Sequence, residues 1–182
     1  DHHRSLRNGL AEVIYSQGKT ANQLIAIIKS LYDAENNILA TRLSSKIYEQ
    51  IKKKIPQKSN YNEISSTLII EKTNNKKKIG NILIVTAGTS DIPIAEEARV
   101  TAEFFGSNVE ELFDVGVAGI HRILDNINTL RKAHVIIVLA GMDGALASVV
   151  GGLVSCPVIA VPTSIGYGAS FNGLAPLLSM IN

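Results

Sequence analysis

Side chains that can transfer protons or bind anions lie in three glycine-rich turns in the second half of the chain. They are two carboxylates, one imidazole and one guanidinium: Asp91, Asp143, His121 and Arg122. Each turn stands beside an apolar run or a segment with helical periodicity. In a doubly wound α/β sheet such turns gather at the carboxyl ends of the strands, where ligands bind. The pattern therefore predicts one cleft that holds all four side chains.

The first turn, Thr-Ala-Gly-Thr-Ser-Asp at positions 86–91, suits an anionic ligand. Gly88 permits a tight turn, and Thr89 and Ser90 offer hydroxyl groups. Backbone N–H groups at the start of the next helix favour a phosphate. The alternative is an ordinary helix N-cap by Ser90 or Asp91. The motif is neither G-x-G-x-x-G nor a Walker loop.

The second turn places His121 and Arg122 after Gly119. A cation at a helix N-terminus is unfavourable unless an anion lies beside it. We interpret Arg122 as a group that binds an anion or carboxylate, and His121 as a group for proton transfer or hydrogen bonding. The alternative is a solvated first helical turn.

The third turn, Gly141-Met142-Asp143-Gly144, places a carboxylate between glycines after a very apolar run. Asp143 is a candidate general base, with a pKa that burial would raise. The alternative is a helix N-cap.

A fourth loop, at positions 162–170, is long and glycine-rich enough to fold over a ligand. Its candidate binding residues are Ser164, Gly166, Tyr167 and Gly168. Tyr167 is placed to stack on an aromatic ring, although a loop tyrosine more commonly packs against its own protein.

The elements that position these turns read as a parallel α/β sheet. Apolar runs at 82–85, 134–139 and 157–161 indicate strands buried on both faces. Apolar residues at three- and four-residue spacing predict helices over 94–105, 120–130 and 172–181. The alternation predicts a doubly wound, flavodoxin-like sheet. We expect a further strand and loop after Asn182.

The first part of the chain is predicted to be a small α+β domain, residues 1–78, before an α/β domain at 79–182. Short strands are predicted at 11–15, 37–41 and 66–70. A capping-box pattern at Thr20 and Gln23 begins one helix. Ser44 or Ser45 begins another, which extends through Ile55 and ends at Pro56. The polar stretch 74–78 is the predicted linker.

Composition excludes several function classes. The net charge is +2, Trp is absent, and the lysine runs at 52–54 and 76–78 are read as solvated surface, which argues against a nucleic-acid binder. We find neither a membrane span nor a signal peptide in these residues. The single cysteine excludes an intrachain disulfide and fits a reducing cytoplasm. Cys156 and His134, each at the start of a strand, are predicted to be buried and structural. No ligand spacing suggests a metal site.

Several motifs in order resemble a known enzyme family. The segments 87–91, 121–122, 140–145 and 157–162 are similar to the aminoimidazole ribonucleotide carboxylases of purine synthesis. The segments 1–9, 12–15, 114–122 and 164–171 resemble more closely the LarB family, the pyridinium-3,5-biscarboxylic acid mononucleotide synthases of nickel-pincer cofactor assembly. The similarity covers nearly the whole chain.

The LarB resemblance implies a reaction on nicotinic acid adenine dinucleotide. CO2 carboxylates the pyridinium ring at C5 and the phosphoanhydride is hydrolysed, with release of AMP. A cysteine thiolate adds covalently to the ring. This cysteine is expected after Asn182, with Asp143 handling the thiol and ring protons. The resemblance also implies a homo-octamer without a tightly bound cofactor, and it leaves a need for Mg2+ open.

Other function classes remain open at this level. One is a carboxylase or mutase of purine synthesis. Another is a flavodoxin-like module that holds FMN or another nucleotide without catalysis. A third is a regulatory protein that binds the dinucleotide unchanged.

Overall fold

The computed structural model describes residues 4–72, 77–166 and 170–181. The chain divides into two compact units, residues 1–77 and 78–182. No helix within the described ranges is both long and apolar enough to span a bilayer.

The first unit is a mixed sheet with helices. Its elements are α1 (Arg4–Asn8), β1 (Val13–Tyr15), α2 (Ala21–Asp33), β2 (Ile38–Thr41), α3 (Ser45–Ile51), β3 (Ser59–Asn62) and β4 (Thr67–Ile70). The strand order is β1-β2-β4-β3, in which β1 and β2 are parallel and the other pairs are antiparallel. The predicted capping box is confirmed, because Thr20 N donates to Gln23 Oε1 over 2.9 Å and Gln23 N donates to Thr20 Oγ1 over 3.3 Å.

Three features of this unit differ from the prediction. Helix α1 was not predicted. Strand β3 was not predicted, because its sequence Ser-Asn-Tyr-Asn lacks apolar alternation and it forms by pairing with β4 at the sheet edge. Helix α3 ends at Ile51 rather than at Ile55, since the chain tightens there and Lys54 N donates to Ile51 O over 2.7 Å. Ile55 nevertheless remains buried in the core of this unit.

The second unit is the predicted α/β fold, with a fully parallel sheet. Its elements are β5 (Ile79–Thr86), α4 (Ile92–Phe104), β6 (Ser107–Leu112), α5 (Ile120–Asp125), α6 (Ile127–Lys132), β7 (Val135–Ala140), α7 (Ala145–Leu153), β8 (Val158–Pro162) and α8 (Leu174–Met180). The strand order is β6-β5-β7-β8. Single helical turns at Thr89–Asp91, Val117–Gly119 and Phe171–Gly173 precede α4, α5 and α8.

Helices cover both faces of this sheet. Leu83 and Val85 pack into one core with the helices α5, α6 and α7, whereas Ile84 between them packs against Ala95 of α4. The strand order reverses between β5 and β7, since the chain leaves β5 for β6 on one side and returns to β7 on the other. Such a switch point opens a crevice at the carboxyl ends of its strands.

Three local predictions for this unit need correction. The helix predicted over 120–130 is two helices, because the chain leaves helical geometry at Asn126, whose side chain donates to Arg122 O over 2.9 Å. His134 is exposed rather than buried, since it precedes β7 at the rim of the sheet. Cys156 is half-buried against the core, at the amino end of β8.

Candidate active site

A cavity of about 550 Å3 lies at the carboxyl ends of the second unit's strands. Residues from the loops after β5, β6, β7 and β8 line it. The volume is within the range of roughly 300–1,000 Å3 that is typical of small-molecule sites. Val117, Leu146 and Ile165 contribute apolar surface to its wall. The sheet topology thus brings four separate loops around one space of ligand size.

Asp91 is a buried carboxylate in the wall of this cavity, with 4% of its surface exposed. Its Oδ2 accepts from Gly88 N over 3.2 Å, and its Oδ1 accepts from Thr163 Oγ1 over 2.7 Å. The alternative that Asp91 caps α4 is not found, because its side chain accepts no N–H of that helix. Each carboxylate oxygen has further acceptor capacity, so Asp91 can still accept a hydrogen bond from a ligand.

Asp143 lies in the same cavity but is exposed, so the burial that we expected for it is wrong for this chain. Its Oδ1 accepts from Ala145 N, at the start of α7, over 3.3 Å. The preceding Met142 has a φ of +54° and is also exposed. Left-handed backbone at a bulky residue is strained and is concentrated at functional sites. The strained turn projects the carboxylate into open space.

Arg122 is half-buried and lines the cavity. Its Nη1 donates to Asp114 Oδ2 over 2.8 Å. Asp114 has a φ of +59°, and its N–H donates to the buried Thr86 hydroxyl over 3.1 Å. A Cβ at Gly119 would lie 2.7 Å from Arg122 Nε, so the guanidinium packs directly over that glycine. Two neighbours therefore fix the direction of this cation.

The other predicted site residues fall into three groups. Those in the cavity wall are Gly88, Ser90, Gly141, Met142 and Gly166. Those that the structure places near it but not in its wall are Thr89, His121, Gly144 and Ser164. Tyr167 and Gly168 lie outside the described residues. His121 is exposed and does not line the cavity, whereas its neighbour Arg122 does.

Glycines allow close backbone contact around the cavity. A Cβ at Gly141 would lie 1.8 Å from Ile165 O, and a Cβ at Gly116 would lie 2.7 Å from Ala87 O. Any side chain at either position would have to displace a neighbouring loop. The loop after β7 thus lies directly against the loop after β8, and the loop after β6 lies directly against the loop after β5.

Comparison with known families agrees with this architecture. Residues 1–73 match the family model described as a LarB/PurE-like N-terminal domain, and residues 81–182 match the model described as AIR carboxylase. The chain belongs to the LarB/PurE family. The second match covers the whole cavity, so the loops described above are those of an AIR carboxylase-like domain.

Two proteins of Methanocaldococcus jannaschii resemble this LarB/PurE family member. An uncharacterized protein is 41% identical over 191 residues, which cover all of this chain and 73% of the relative. An N5-carboxyaminoimidazole ribonucleotide mutase is 40% identical over 103 residues, which cover 55% of this chain and 60% of the mutase. The first similarity extends over both units, whereas the second covers about half the chain.

Two residues of this family member's site were missed as functional candidates. Thr163 is one of them: it directly follows β8 and is buried, just as the buried Thr86 ends β5. Asp114 lies in the motif at 114–122, but no pattern within that motif indicates a role for its carboxylate. A threonine at the carboxyl end of a parallel strand was the available signal for Thr163, but nothing local indicated that its partner lies 72 residues away.

Among the described residues, no three His, Cys, Asp or Glu side chains are arranged to hold a metal ion. The polar groups that line the cavity are the side chains of Asp91, Asp143 and Arg122, the hydroxyl of Ser90, and backbone groups. Two carboxylates and one guanidinium can bind an anionic, hydroxyl-bearing ligand and accept a proton from it.

Proposed function

We propose that this LarB/PurE family protein carboxylates the pyridinium ring of nicotinic acid adenine dinucleotide at C5. CO2 is the carboxyl donor, and hydrolysis of the phosphoanhydride gives pyridinium-3,5-biscarboxylic acid mononucleotide and AMP, for nickel-pincer cofactor synthesis. The observation that carries the proposal is a ligand-sized cavity with Arg122 and two carboxylates, in a chain whose residues 1–73 match a LarB/PurE-like N-terminal domain.

In this proposal Arg122 binds an anionic group of the substrate. The dinucleotide carries a carboxylate and a pyrophosphate, and a guanidinium pairs with either through parallel hydrogen bonds. The helical turn Thr89–Asp91 leads into α4 at the cavity, and backbone N–H groups in such a turn favour a phosphate. Val117 and Leu146 offer apolar contact to a planar ring.

The chemical step proceeds through a covalent intermediate. A thiolate adds to the cationic ring and makes it electron-rich, so that C5 forms a bond to CO2. Asp143 then accepts the C5 proton, and expulsion of the thiolate restores the aromatic ring. The exposed position of Asp143 in the cavity leaves it accessible to a ligand.

Cys156 does not fit the role of the nucleophile. It precedes β8, and the cavity lies at the opposite, carboxyl ends of the strands. The proposal therefore requires a cysteine outside the 182 residues, as the family resemblance implies. It invokes no tightly bound cofactor, and assays with and without EDTA test any need for Mg2+. We also propose that the reaction takes place in the cytoplasm, since the 182 residues hold one cysteine and therefore no disulfide between them.

We also propose that the protein is a homo-octamer. Helix α8 exposes Leu174, Leu177 and Leu178, and Ile181 just beyond it is also exposed. Contiguous apolar side chains of this kind support association between subunits. Native mass spectrometry or sedimentation analysis tests the proposal, and a monomer at micromolar concentration would contradict it.

Product analysis tests the proposed reaction. The protein, with any sequence that its gene encodes after Asn182, is incubated with nicotinic acid adenine dinucleotide and labelled bicarbonate. We expect mass spectrometry to detect AMP and a mononucleotide with one labelled carboxyl group. Recovery of unchanged dinucleotide from folded protein would contradict the proposal.

The second candidate is turnover of an aminoimidazole ribonucleotide. It is favoured by the 40% identity to the N5-carboxyaminoimidazole ribonucleotide mutase. The same assay with the carboxylated ribonucleotide in place of the dinucleotide decides between the two. Turnover of the ribonucleotide alone would transfer the assignment to the purine pathway.

A further inference from the structure

The bond between Thr163 and Asp91 joins the first and last loops of the cavity. Thr163 is 1% exposed, and its hydroxyl lies 2.7 Å from Asp91 Oδ1. An ionised carboxylate only accepts hydrogen bonds, so the hydroxyl is the donor. The Thr163 N–H donates to Ala140 O over 3.0 Å, which fixes the backbone of Thr163 to the end of β7.

We propose that Thr163 is a positioning residue that holds the Asp91 carboxylate in its ligand-binding orientation. This inference rests on the proposed function and adds to it that Asp91, which lines the cavity, contacts the nucleotide substrate. Two donors on two different loops, Gly88 N–H and the Thr163 hydroxyl, each hold one carboxylate oxygen. Together they fix the plane of the carboxylate, which a single donor would leave free to rotate.

Because both partners are buried, no water can easily replace the Thr163 hydroxyl as a donor to Asp91. Asp91 is 4% exposed, so water has little access to replace a lost donor. A buried carboxylate that loses a hydrogen bond keeps the unfavourable desolvation without the compensation. Without the Thr163 hydroxyl, the carboxylate therefore turns toward other donors and away from the ligand.

The neighbouring loop makes this arrangement rigid. A Cβ at Gly141 would lie 3.0 Å from Thr163 Oγ1 and 1.8 Å from Ile165 O, so the loop after β7 packs against both. Thr163 therefore has a fixed backbone and a closely packed hydroxyl. A side chain held in this way can orient a partner, because its own orientation is fixed by packing.

The test compares Thr163→Val, which keeps the shape and removes the donor, with Thr163→Ser, which keeps the donor. The dissociation constant for nicotinic acid adenine dinucleotide is measured by calorimetry, and kcat is measured by AMP release. We expect Thr163→Val to weaken binding roughly tenfold or more, the size expected for a hydrogen bond to a charged group. Thr163→Ser should restore most of that loss.

A double-mutant cycle with Asp91→Asn separates positioning from general stability. If Thr163 acts through Asp91, adding Thr163→Val to Asp91→Asn should weaken binding little further. Thr67→Val is the matched control: Thr67 is also 1% exposed and hydrogen-bonded to Ser65, but it lies in the first unit. It should lower the melting temperature without changing the dissociation constant.

The outcomes separate this inference from the proposed function. Wild-type protein that binds the dinucleotide, with Thr163→Val binding equally well or with fully additive losses, overturns the positioning role alone. Folded wild-type protein that binds neither the dinucleotide nor the aminoimidazole ribonucleotide overturns both. Should the wild type bind only the ribonucleotide, the same cycle run with that ligand decides the role of Thr163.

Discussion

The two loops at the switch point of the sheet hold their glycines and carboxylates in opposite ways. After β5, the carboxylate of Asp91 is buried and hydrogen-bonded, whereas a Cβ at Gly88 would meet no atom within 4 Å. After β7, the carboxylate of Asp143 is exposed, whereas Gly141 has no room for a Cβ. The first loop fixes its side chain and leaves its backbone open. The second fixes its backbone and leaves its side chain open.

This difference assigns different tasks to two similar turns. The loop after β5 suits ligand binding: a ligand can approach the backbone at Gly88, and Asp91 is already held in place before the ligand arrives. An open carboxylate on a fixed turn suits proton transfer, since the group can adjust to a reacting atom. A substitution in one loop should therefore change the property of that loop and leave the other loop unchanged.

The largest expected effect is the loss of kcat when the exposed carboxylate of Asp143 is replaced. Asp143→Asn keeps the shape of the side chain but removes its ability to accept a proton. We expect kcat for carboxylation to fall by about 100-fold or more, the usual contribution of a general base. The dissociation constant of the dinucleotide should not change measurably. Incorporation of labelled bicarbonate into the mononucleotide measures kcat, and calorimetry measures the dissociation constant.

Asp125→Asn is the matched control for this variant, because Asp125 is also exposed but ends α5 outside the cavity wall. It should leave both quantities unchanged. Full turnover by Asp143→Asn would show that Asp143 takes no part in the reaction, and that the exposure of its carboxylate does not serve proton transfer.

The next effect concerns the fixed backbone of the loop after β7. Gly141→Ala places a methyl group 1.8 Å from Ile165 O, which is backbone and cannot rotate away. We expect the free energy of unfolding of the second unit to fall by about 3 kcal/mol, as for severe overpacking. Urea denaturation monitored by circular dichroism measures it.

Gly151→Ala is the control for that experiment, because Gly151 lies in α7 and a Cβ there meets no atom within 4 Å. An alanine in a helix interior should be neutral or stabilising, by up to about 1 kcal/mol relative to glycine. Equal stability of Gly141→Ala and wild type would show that the loop after β8 yields easily, and that the backbone after β7 is not fixed.

Substitution of the buried Asp91 should have a smaller effect on stability. Gly88 N–H and the Thr163 hydroxyl each donate to one oxygen of Asp91, and Asp91→Asn replaces one of these acceptor oxygens by an amide that donates. One buried donor then loses its acceptor, so we expect a loss of about 1–3 kcal/mol in the free energy of unfolding. Asp143→Asn should stay within about 0.5 kcal/mol of wild type, as is usual for an exposed side chain. The same denaturation experiment compares them, and equal losses would contradict the proposed contrast.

The sequence predicted where these loops meet but not how each is held. Continuous apolar runs before Gly88 and Gly141 indicated buried parallel strands, and parallel strands place their following loops at one edge. That reasoning brings Asp91, Arg122 and Asp143 together. It does not reveal burial, which depends on contacts between loops distant in sequence, such as the approach of Ile165 O to Gly141.

Two departures from the prediction have equally local physical causes. His121 was predicted to share the cleft with Arg122 but does not line the cavity; successive helical residues point about 100° apart around the axis, so adjacent side chains need not reach the same wall. Strand β3 was missed because its polar side chains carry no alternating pattern, and the strand exists through its hydrogen bonds to β4. Pattern reading detects burial that is periodic along the chain and misses structure that a partner imposes.

The smallest expected effect tests the open backbone of the loop after β5. Gly88 has φ −139° and ψ 170°, an extended geometry that alanine adopts freely. Gly88→Ala should therefore leave the free energy of unfolding within about 0.5 kcal/mol of wild type. The added methyl group projects into space where the ligand would approach the backbone, so we expect affinity for the dinucleotide to fall by up to about tenfold.

Arg122→Ala provides the reference for a loss of affinity in a folded protein. If Gly88→Ala binds as tightly as wild type while Arg122→Ala does not, the ligand lies along the loops after β6 and β7, and the open backbone after β5 is not a contact surface.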